Sequence, residues 1–247
     1  VIAILADPVT KQPCKPEAFN NVQGVIDARV FLKNTHGYKE WAEGQDEYEK
    51  WAEGEELNTS LSEYQAGIEG ARPVYQHYQM EGRILDLGGG AGTVREYLSD
   101  AVELVSTDPW LQAAFTSSSS TTCKAAYTCL DRPLNFIAAN AEFQPFVEGS
   151  FDWVHMRSML DHVQVPDLAL LEAKRVLKPG GCVLIGLYVD GGKSGVISFE
   201  RRIKDLIKAV LGFIGIERWK DHHIWHPTYQ NLLKLIADNG FAIEDTY

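Results

Sequence analysis

The chain has 247 residues, 45% of them hydrophobic and 23% charged, with a formal net charge of −11. This is the make-up of a globular protein of one or two domains with enough apolar mass for a substantial core. The acidic balance argues against a nucleic-acid substrate, which needs a basic surface, and no stretch of about 18 uncharged apolar residues predicts a membrane-spanning helix. Val1 to Leu5 is apolar but too short, and lacks the basic flank, to read as a secretion signal. The cysteines Cys14, Cys123, Cys129 and Cys182 form no Cys-x-x-Cys pair. No zinc site is therefore expected, and a reduced, cytoplasmic protein is.

Residues 1–35 are β-prone, with strands expected over Val1 to Ala6 and Val25 to Leu32. Residues 37–80 read as helical, with Arg72 to Met80 leading into the first sheet strand. Within them Glu40-Trp41-Ala42-Glu43-Gly44 is echoed by Lys50-Trp51-Ala52-Glu53-Gly54. Ten residues is close to three turns, so both tryptophans are expected near one face. They serve either as core anchors or as an aromatic lid over a pocket.

The most informative stretch follows. Ile84 to Leu87 predicts a short buried strand containing Asp86, and glycines then stand at 88, 90 and 92, with Gly89 between them. Glycine tolerates φ > 0 and lets a ligand touch the backbone. Thr93 to Leu98 is expected to open a helix, whose first N–H groups and dipole favour a nucleotide-like ligand. A dinucleotide fingerprint would need its third glycine at Thr93 or Arg95, and a P-loop would need a lysine, so neither fits. The next predicted strand, Val102 to Asp108, ends in an acid placed to take a ribose diol. Asn135 to Ala139 and Ser150 to Met156 are further strands, and a helix then leads to Leu177-Lys178-Pro179-Gly180-Gly181 and an apolar strand over Cys182 to Tyr188, where Cys182 is expected to be buried.

Asp86-x-Gly88-x-Gly90-x-Gly92, the acid Asp108, the Asn140-Ala141-Glu142 step and the Leu-Lys-Pro-Gly-Gly turn together resemble the class I S-adenosylmethionine-dependent methyltransferases. The resemblance covers Arg83 to Tyr188 closely and Thr228 to Tyr247 loosely. It implies a Rossmann-like α/β fold: a mostly parallel sheet with helices on both faces. To this the chain adds an N-terminal extension (1–80) and, within the cofactor-binding domain (81–247), a helical cap insertion (190–227). It implies S-adenosylmethionine as cofactor, held by Asp86, Gly88, Gly89, Gly90, Gly92, Asp108, Pro109, Asn140, Ala141, Glu142, Met156 and Arg157. Where the family carries an acid, this chain has Asn140, whose amide oxygen can accept from an adenine amino group but carries no charge. The seventh, antiparallel strand of the family has no counterpart here, unless an N-terminal strand replaces it. Leu5 to Thr10 resembles the first knuckle of small zinc ribbons found beside some methyltransferases, without the metal cysteines.

The polar run Thr116 to Thr122 reads as a loop. In the insertion, Ile197, Phe199, Ile203, Leu206, Ile207, Val210, Leu211 and Ile214 recur at helical steps. That helix packs on the core, caps an apolar substrate, or lies on a membrane surface, the last kept open by Arg201, Arg202, Lys204 and Lys208. His222, His223 and His226 follow. Adjacent histidines in an extended segment point to opposite sides, which disfavours a metal. They form either a polar loop before a helix capped by Thr228 or a substrate-facing group. Tyr229 to Asp238 is expected to be helical and Phe241 to Tyr247 a strand. The function expected is methyl transfer to a small-molecule acceptor, without nucleic acid or membrane. His162, His222, His223 and His226 are the candidates for moving a proton near neutral pH. The alternative is a cofactor-binding module that assembles or regulates without turnover.

Overall fold

The computed structural model describes residues 2–115, 120–195 and 223–247. The chain starts in a 3₁₀ turn, Ile2–Ile4, and not in a strand. Leu5 makes a single bridge to Phe146 and Ala6 one to Pro13, so no ladder extends along them. The Asp7 carboxylate closes the turn between those bridges by accepting the N–H groups of Val9 (3.0 Å) and Thr10 (2.6 Å). Strands β1 (Asn20–Val22) and β2 (Val25–Asp27) form a hairpin. Its two-residue loop, Gln23-Gly24, has positive φ at both positions, the twist a tight hairpin demands.

Helix α1 spans Tyr38–Asn58 and α2 spans Leu61–His77. Ser60 starts α2 with a reciprocal capping box to Glu63. Trp41 is buried on α1 and packs on Phe31 and Tyr38, whereas Trp51 is 52% exposed, so the repeat does not place both rings inward. Ten residues at 3.6 per turn fall short of three full turns, which is enough to rotate the second ring off the buried face.

The sheet continues with β3 (Arg83–Leu87), β4 (Glu103–Asp108), β5 (Asn135–Ala138), β6 (Phe151–Arg157) and β7 (Leu177–Gly186). Helices α3 (Thr121–Ala126), α4 (Pro166–Val176) and α5 (Tyr229–Asp238) lie between or after them. The strand order is β1-β2-β5-β4-β3-β6-β7, parallel from β2 to β7. Successive strand residues point to opposite faces. Leu85, Leu87, Val105, Ile137, Val154 and Met156 meet Leu170 and Ala173 of α4 on one face. Ile84 and Leu104 meet Tyr75 of α2 and Val94 on the other. The Rossmann-like sandwich expected from the sequence is the fold observed.

Two of the seven strands come from the N-terminal segment, as the hairpin β1–β2 added beside β5. The hairpin therefore sits on the edge opposite β7. Residues 241–247 form no strand, because they lie near β7 without pairing to it; Asp245 and Tyr247 turn instead to His77 at the end of α2. A groove of about 1300 Å³ runs along β7 between α2, α5 and these last residues. Cys182 on this edge strand is accordingly only half-buried.

A buried ionic clamp joins the N-terminal segment to the sheet. The Glu172 carboxylate on α4 accepts from Lys11 Nζ (2.5 Å), Arg175 Nε (2.7 Å) and the Gln144 N–H (2.8 Å). Arg175 in turn donates to the carbonyls of Phe146 and Gln144. Burial alone would raise the Glu172 carboxyl, but Arg175 and Lys11 overcome it and hold its pKa below the usual value. A depressed folded-state pKa stabilises above the unfolded pKa and is lost as pH falls through the folded one. Glu172→Gln should therefore cost about 2 kcal/mol at pH 7, below the ~3–5 of a fully buried broken pair because Lys11 and Arg175 keep some exposure. Urea unfolding at pH 7 and pH 4 checks this: the gap between variant and parent should shrink at the lower pH.

Candidate functional site

The site begins where β3 ends. Gly88, Gly90 and Gly92 all have positive φ (64°, 52° and 68°), as their spacing predicts. The N–H groups of Gly88 and Gly89 donate to Thr107 O at 2.8 and 3.2 Å, which folds the loop back over β4. Gly89 is constrained differently. A Cβ there would run into the Asp86 carboxylate and the Ser106 Oγ, whereas one at Gly90 would meet nothing within 4 Å. The loop thus presents bare backbone to open space. Beyond it, Thr93–Tyr97 is a 3₁₀ helix and not an α-helix. The Arg95 guanidinium explains this by donating to Ala91 O and Gly92 O, carbonyls an α-helix would use for its own ladder.

Asp86 is buried and bonds His155 Nδ1 on β6 at 2.6 Å. His155 Nε2 meets the Tyr75 hydroxyl of α2 at 2.9 Å. Burial pushes Tyr75 up to about 12, so this phenol stays neutral. Neither Tyr75 nor His155 was among the expected site residues, since each reads as an ordinary helix or strand position.

Asp108 closes β4 beside the loop. Its Oδ2 accepts from Gly90 N–H (3.2 Å) and its Oδ1 from Trp110 N–H (2.9 Å). Asp108 keeps some accessible surface, yet its carboxyl lies deep among protein atoms, and this desolvation pushes its pKa up to about 7 against the two backbone donors. Pro109 lines a cavity of about 150 Å³ beneath α1, with Arg29, Trp41 and Glu49. Arg29, forked onto Asp27, also donates to Pro109 O (3.3 Å).

The other expected cofactor residues are spread more widely. Asn140 is buried, and its Oδ1 accepts from the Val30 N–H (3.2 Å). Ala141 is in the core cluster with Met156. Glu142 Oε1 accepts from the Val165 N–H (3.1 Å), so its side chain secures the entry to α4. Arg157 ends β6 with its charge acting on the Tyr75 and Tyr97 hydroxyls.

The turn after β6 holds the polar cluster. Met159 fills the space a Cβ on Gly88 would need, and His162 N–H closes the turn onto Met159 O (3.0 Å). Next to it Asp161 is buried, with Oδ2 3.4 Å from His223 Nε2 and Oδ1 4.0 Å from His162 Nε2. The Asp161 carbonyl accepts the N–H groups of Ile224 and Trp225, which docks the segment carrying His223 onto this turn. His162 and His223 rings lie 4.5 Å apart, and His226 lies 5.6 Å from His223. From α1, Tyr48 packs on His162 (5.1 Å) and Trp41 Nε1 donates to its carbonyl (3.0 Å). Trp41 is thus both anchor and cover. His222 and the expected cap helix lie outside the described residues.

A family model described as "Methyltransferase domain" matches residues 85–185. The ubiquinone/menaquinone biosynthesis C-methyltransferase UbiE of Shewanella sp. (strain ANA-3) is 32% identical over 201 residues, covering 74% of this chain and 72% of that protein. The chain belongs to the class I S-adenosylmethionine-dependent methyltransferases. UbiE of Shewanella baltica (strain OS155) is 31% identical over 196 residues, 74% of this chain and 72% of its own. In fold, the methyltransferase is similar to the [4+2]-cyclase SpnF, with a TM-score of 0.52 at 22% identity over 73% of this chain and 60% of that one. Among the described residues no helix is long and apolar enough to cross a membrane.

The residues present fit the cofactor. The Gly90 backbone opens onto unfilled space, and the Asp108 carboxylate stands beside it with lone pairs left for a diol. Two outcomes follow for this methyltransferase. Diol hydroxyls donate best to the ionised carboxylate, and a raised acid pKa means that its charge appears only as pH climbs to about 7. Affinity for S-adenosylhomocysteine should therefore rise from pH 5.5 to 8, by up to about tenfold per unit on the acid side. Asp108→Asn should bind more weakly and flatten the profile; a parent profile already flat over this range would remove Asp108 from the contact. Secondly, Gly90→Val should lose cofactor binding while still folding, whereas Gly89→Ala should lower the melting temperature, because its Cβ meets a buried carboxylate. Calorimetric binding and thermal unfolding of the two variants test the contrast.

Proposed function

We propose that this methyltransferase acts on a small-molecule acceptor bound beside the Met159–Val163 turn, with a ring carbon or its attached oxygen as the nucleophile. The observation that carries the reading is the convergence of His162 and His223 on the buried Asp161, on the same turn that packs against Gly88. An imidazole nitrogen held beside a buried carboxylate is placed to receive the proton that the acceptor loses. S-Adenosylmethionine, when bound, supplies a methyl group already activated on a sulfonium. The chain's work is therefore orientation: the glycine loop and Asp108 fix the cofactor, and Asp161 with its histidines fixes and deprotonates the acceptor. His226 stands next to this group and His222 is retained as its sequence neighbour. The curated relatives are named as C-methyltransferases of ubiquinone and menaquinone biosynthesis, which supports a hydroxylated, quinone-type ring as the acceptor.

The experiment supplies methyl-labelled S-adenosylmethionine together with hydroxylated quinol rings. Label should enter the extractable small molecule with an equal yield of S-adenosylhomocysteine. The double variant His162→Ala/His223→Ala should lose roughly 10²-fold in turnover while its affinity for S-adenosylhomocysteine changes less than about twofold. Label found only on protein or RNA, or a double variant with parental turnover, would overturn the reading.

A further inference from the structure

Asp161, His162 and His223 offer three ligand atoms that all lie within 4.8 Å of one another. Several features distinguish this cluster from a chance meeting of polar side chains. Asp161 exposes only 7% of its side chain, and its Oδ1 is buried with no hydrogen-bond partner among the described residues. Both imidazoles aim the same atom, Nε2, at that one carboxylate, from 3.4 and 4.0 Å. These are separations between donors that share an ion: bonds of about 2.0–2.1 Å at tetrahedral angles put neighbouring donors roughly 3.4 Å apart. His223 meets this value against Oδ2, while His162 faces the other oxygen, Oδ1, and the three donors, all within 4.8 Å, contract further to close on one ion.

A cation between the three groups binds imidazole nitrogen and carboxylate oxygen together and takes up the orphaned Oδ1. The backbone is set for it: the Asp161 carbonyl holds the N–H groups of Ile224 (2.9 Å) and Trp225 (3.3 Å), which fixes His223 against the turn. Tyr48 and Trp41 of α1 fix His162 from the other side.

We propose that Asp161, His162 and His223 form a site for a divalent transition-metal ion of the zinc type. Two imidazoles and one carboxylate suit a borderline cation such as Zn²⁺, Co²⁺ or Fe²⁺ far better than Mg²⁺ or Ca²⁺, which want oxygen donors. Three protein ligands leave at least one coordination position open. That position takes water or a hydroxyl oxygen of the acceptor, whose pKa the ion lowers; with the ion bound the two imidazoles are ligands and not bases, and the proton leaves to solvent water. In this role the site rests on the reading of the turn as the acceptor's binding place, but the binding of the ion does not.

The test is therefore made on binding alone. The full chain, stripped with a chelator, is titrated with ZnCl₂ by calorimetry. One Zn²⁺ per chain is expected. Asp161→Asn and His223→Ala should each weaken it at least tenfold, while His36→Ala, at an exposed histidine far along the chain, should not change it. Affinity for S-adenosylhomocysteine, measured on the same variants, shows that they still fold. A second measurement needs no variant: diethyl pyrocarbonate modification of the parent chain, mapped by mass spectrometry, should be suppressed by Zn²⁺ at His162 and His223. Absence of stoichiometric Zn²⁺ binding, or binding that survives both substitutions and leaves these two histidines reactive, would overturn the site. Turnover on an organic acceptor with no metal requirement would leave the ion bound but remove it from the reaction.

Discussion

The site depends first on a buried negative charge. Asp86 stands in the middle of the sheet, 3% exposed, where an unpaired carboxylate would cost several kcal/mol. Its needs propagate outward. One oxygen requires the imidazole of His155 from the neighbouring strand. The other side of the carboxylate excludes any side chain at position 89, so the loop that follows must pass close as bare backbone. His155 in turn requires a polar partner for its second nitrogen, and Tyr75 supplies it from α2. Tyr75 is stacked on Tyr97 at 4.3 Å. One carboxylate thus fixes the glycine loop, a strand and a helix on the opposite face. The neutral phenol can donate or accept, so it suits the second ring nitrogen in either role.

This explains which parts of the molecule could be seen in the sequence. Glycines 88, 90 and 92 are required by local backbone angles, and a local requirement leaves a local mark. Gly89 is required by a side chain three residues earlier and by Ser106 on the next strand, which no spacing rule encodes. The strands from β3 to β7 were legible because they are largely apolar runs with local end signals, such as the glycine loop after β3 and Asp108 at the end of β4. Of the hairpin, β2 was legible only as the start of the strand expected over Val25 to Leu32, which ends at Asp27, and β1 was not, since three-residue strands carry no periodicity and the choice of β5 as neighbour is made by tertiary packing. The expected strand over Phe241 to Tyr247 failed for the converse reason: its composition suits a strand, but a strand exists only where a ladder partner lies in register. The Asp161 cluster divides in the same way. His162 and His223 stood out as titratable residues near a strand end and in a histidine-rich run. Asp161, the group that unites them, sits in a turn beside an apolar strand, and its partner His223 is remote in sequence.

Helix α1 joins the two halves of the site. Its surface is mostly charged, and its grip on the domain comes from a few residues along one side. Trp41 donates to the His162 carbonyl and Tyr48 covers the His162 ring. Glu49 faces the cofactor side, where burial raises its own carboxyl and its charge adds to the elevation of Asp108. Arg29 tempers Glu49 while bonding the carbonyl of Pro109. The same helix therefore touches the turn that carries Asp161 and the loop that follows Asp108. Free energy spent in seating it is shared by both places. A ligand that gains contacts only when α1 is seated strengthens the binding of any second ligand with the same dependence, by an equal factor in each direction. Two such ligands need no direct contact for that coupling; one helix held by an indole and a phenol against the Asp161 turn, with a half-buried carboxyl acting on Asp108, is sufficient to carry it.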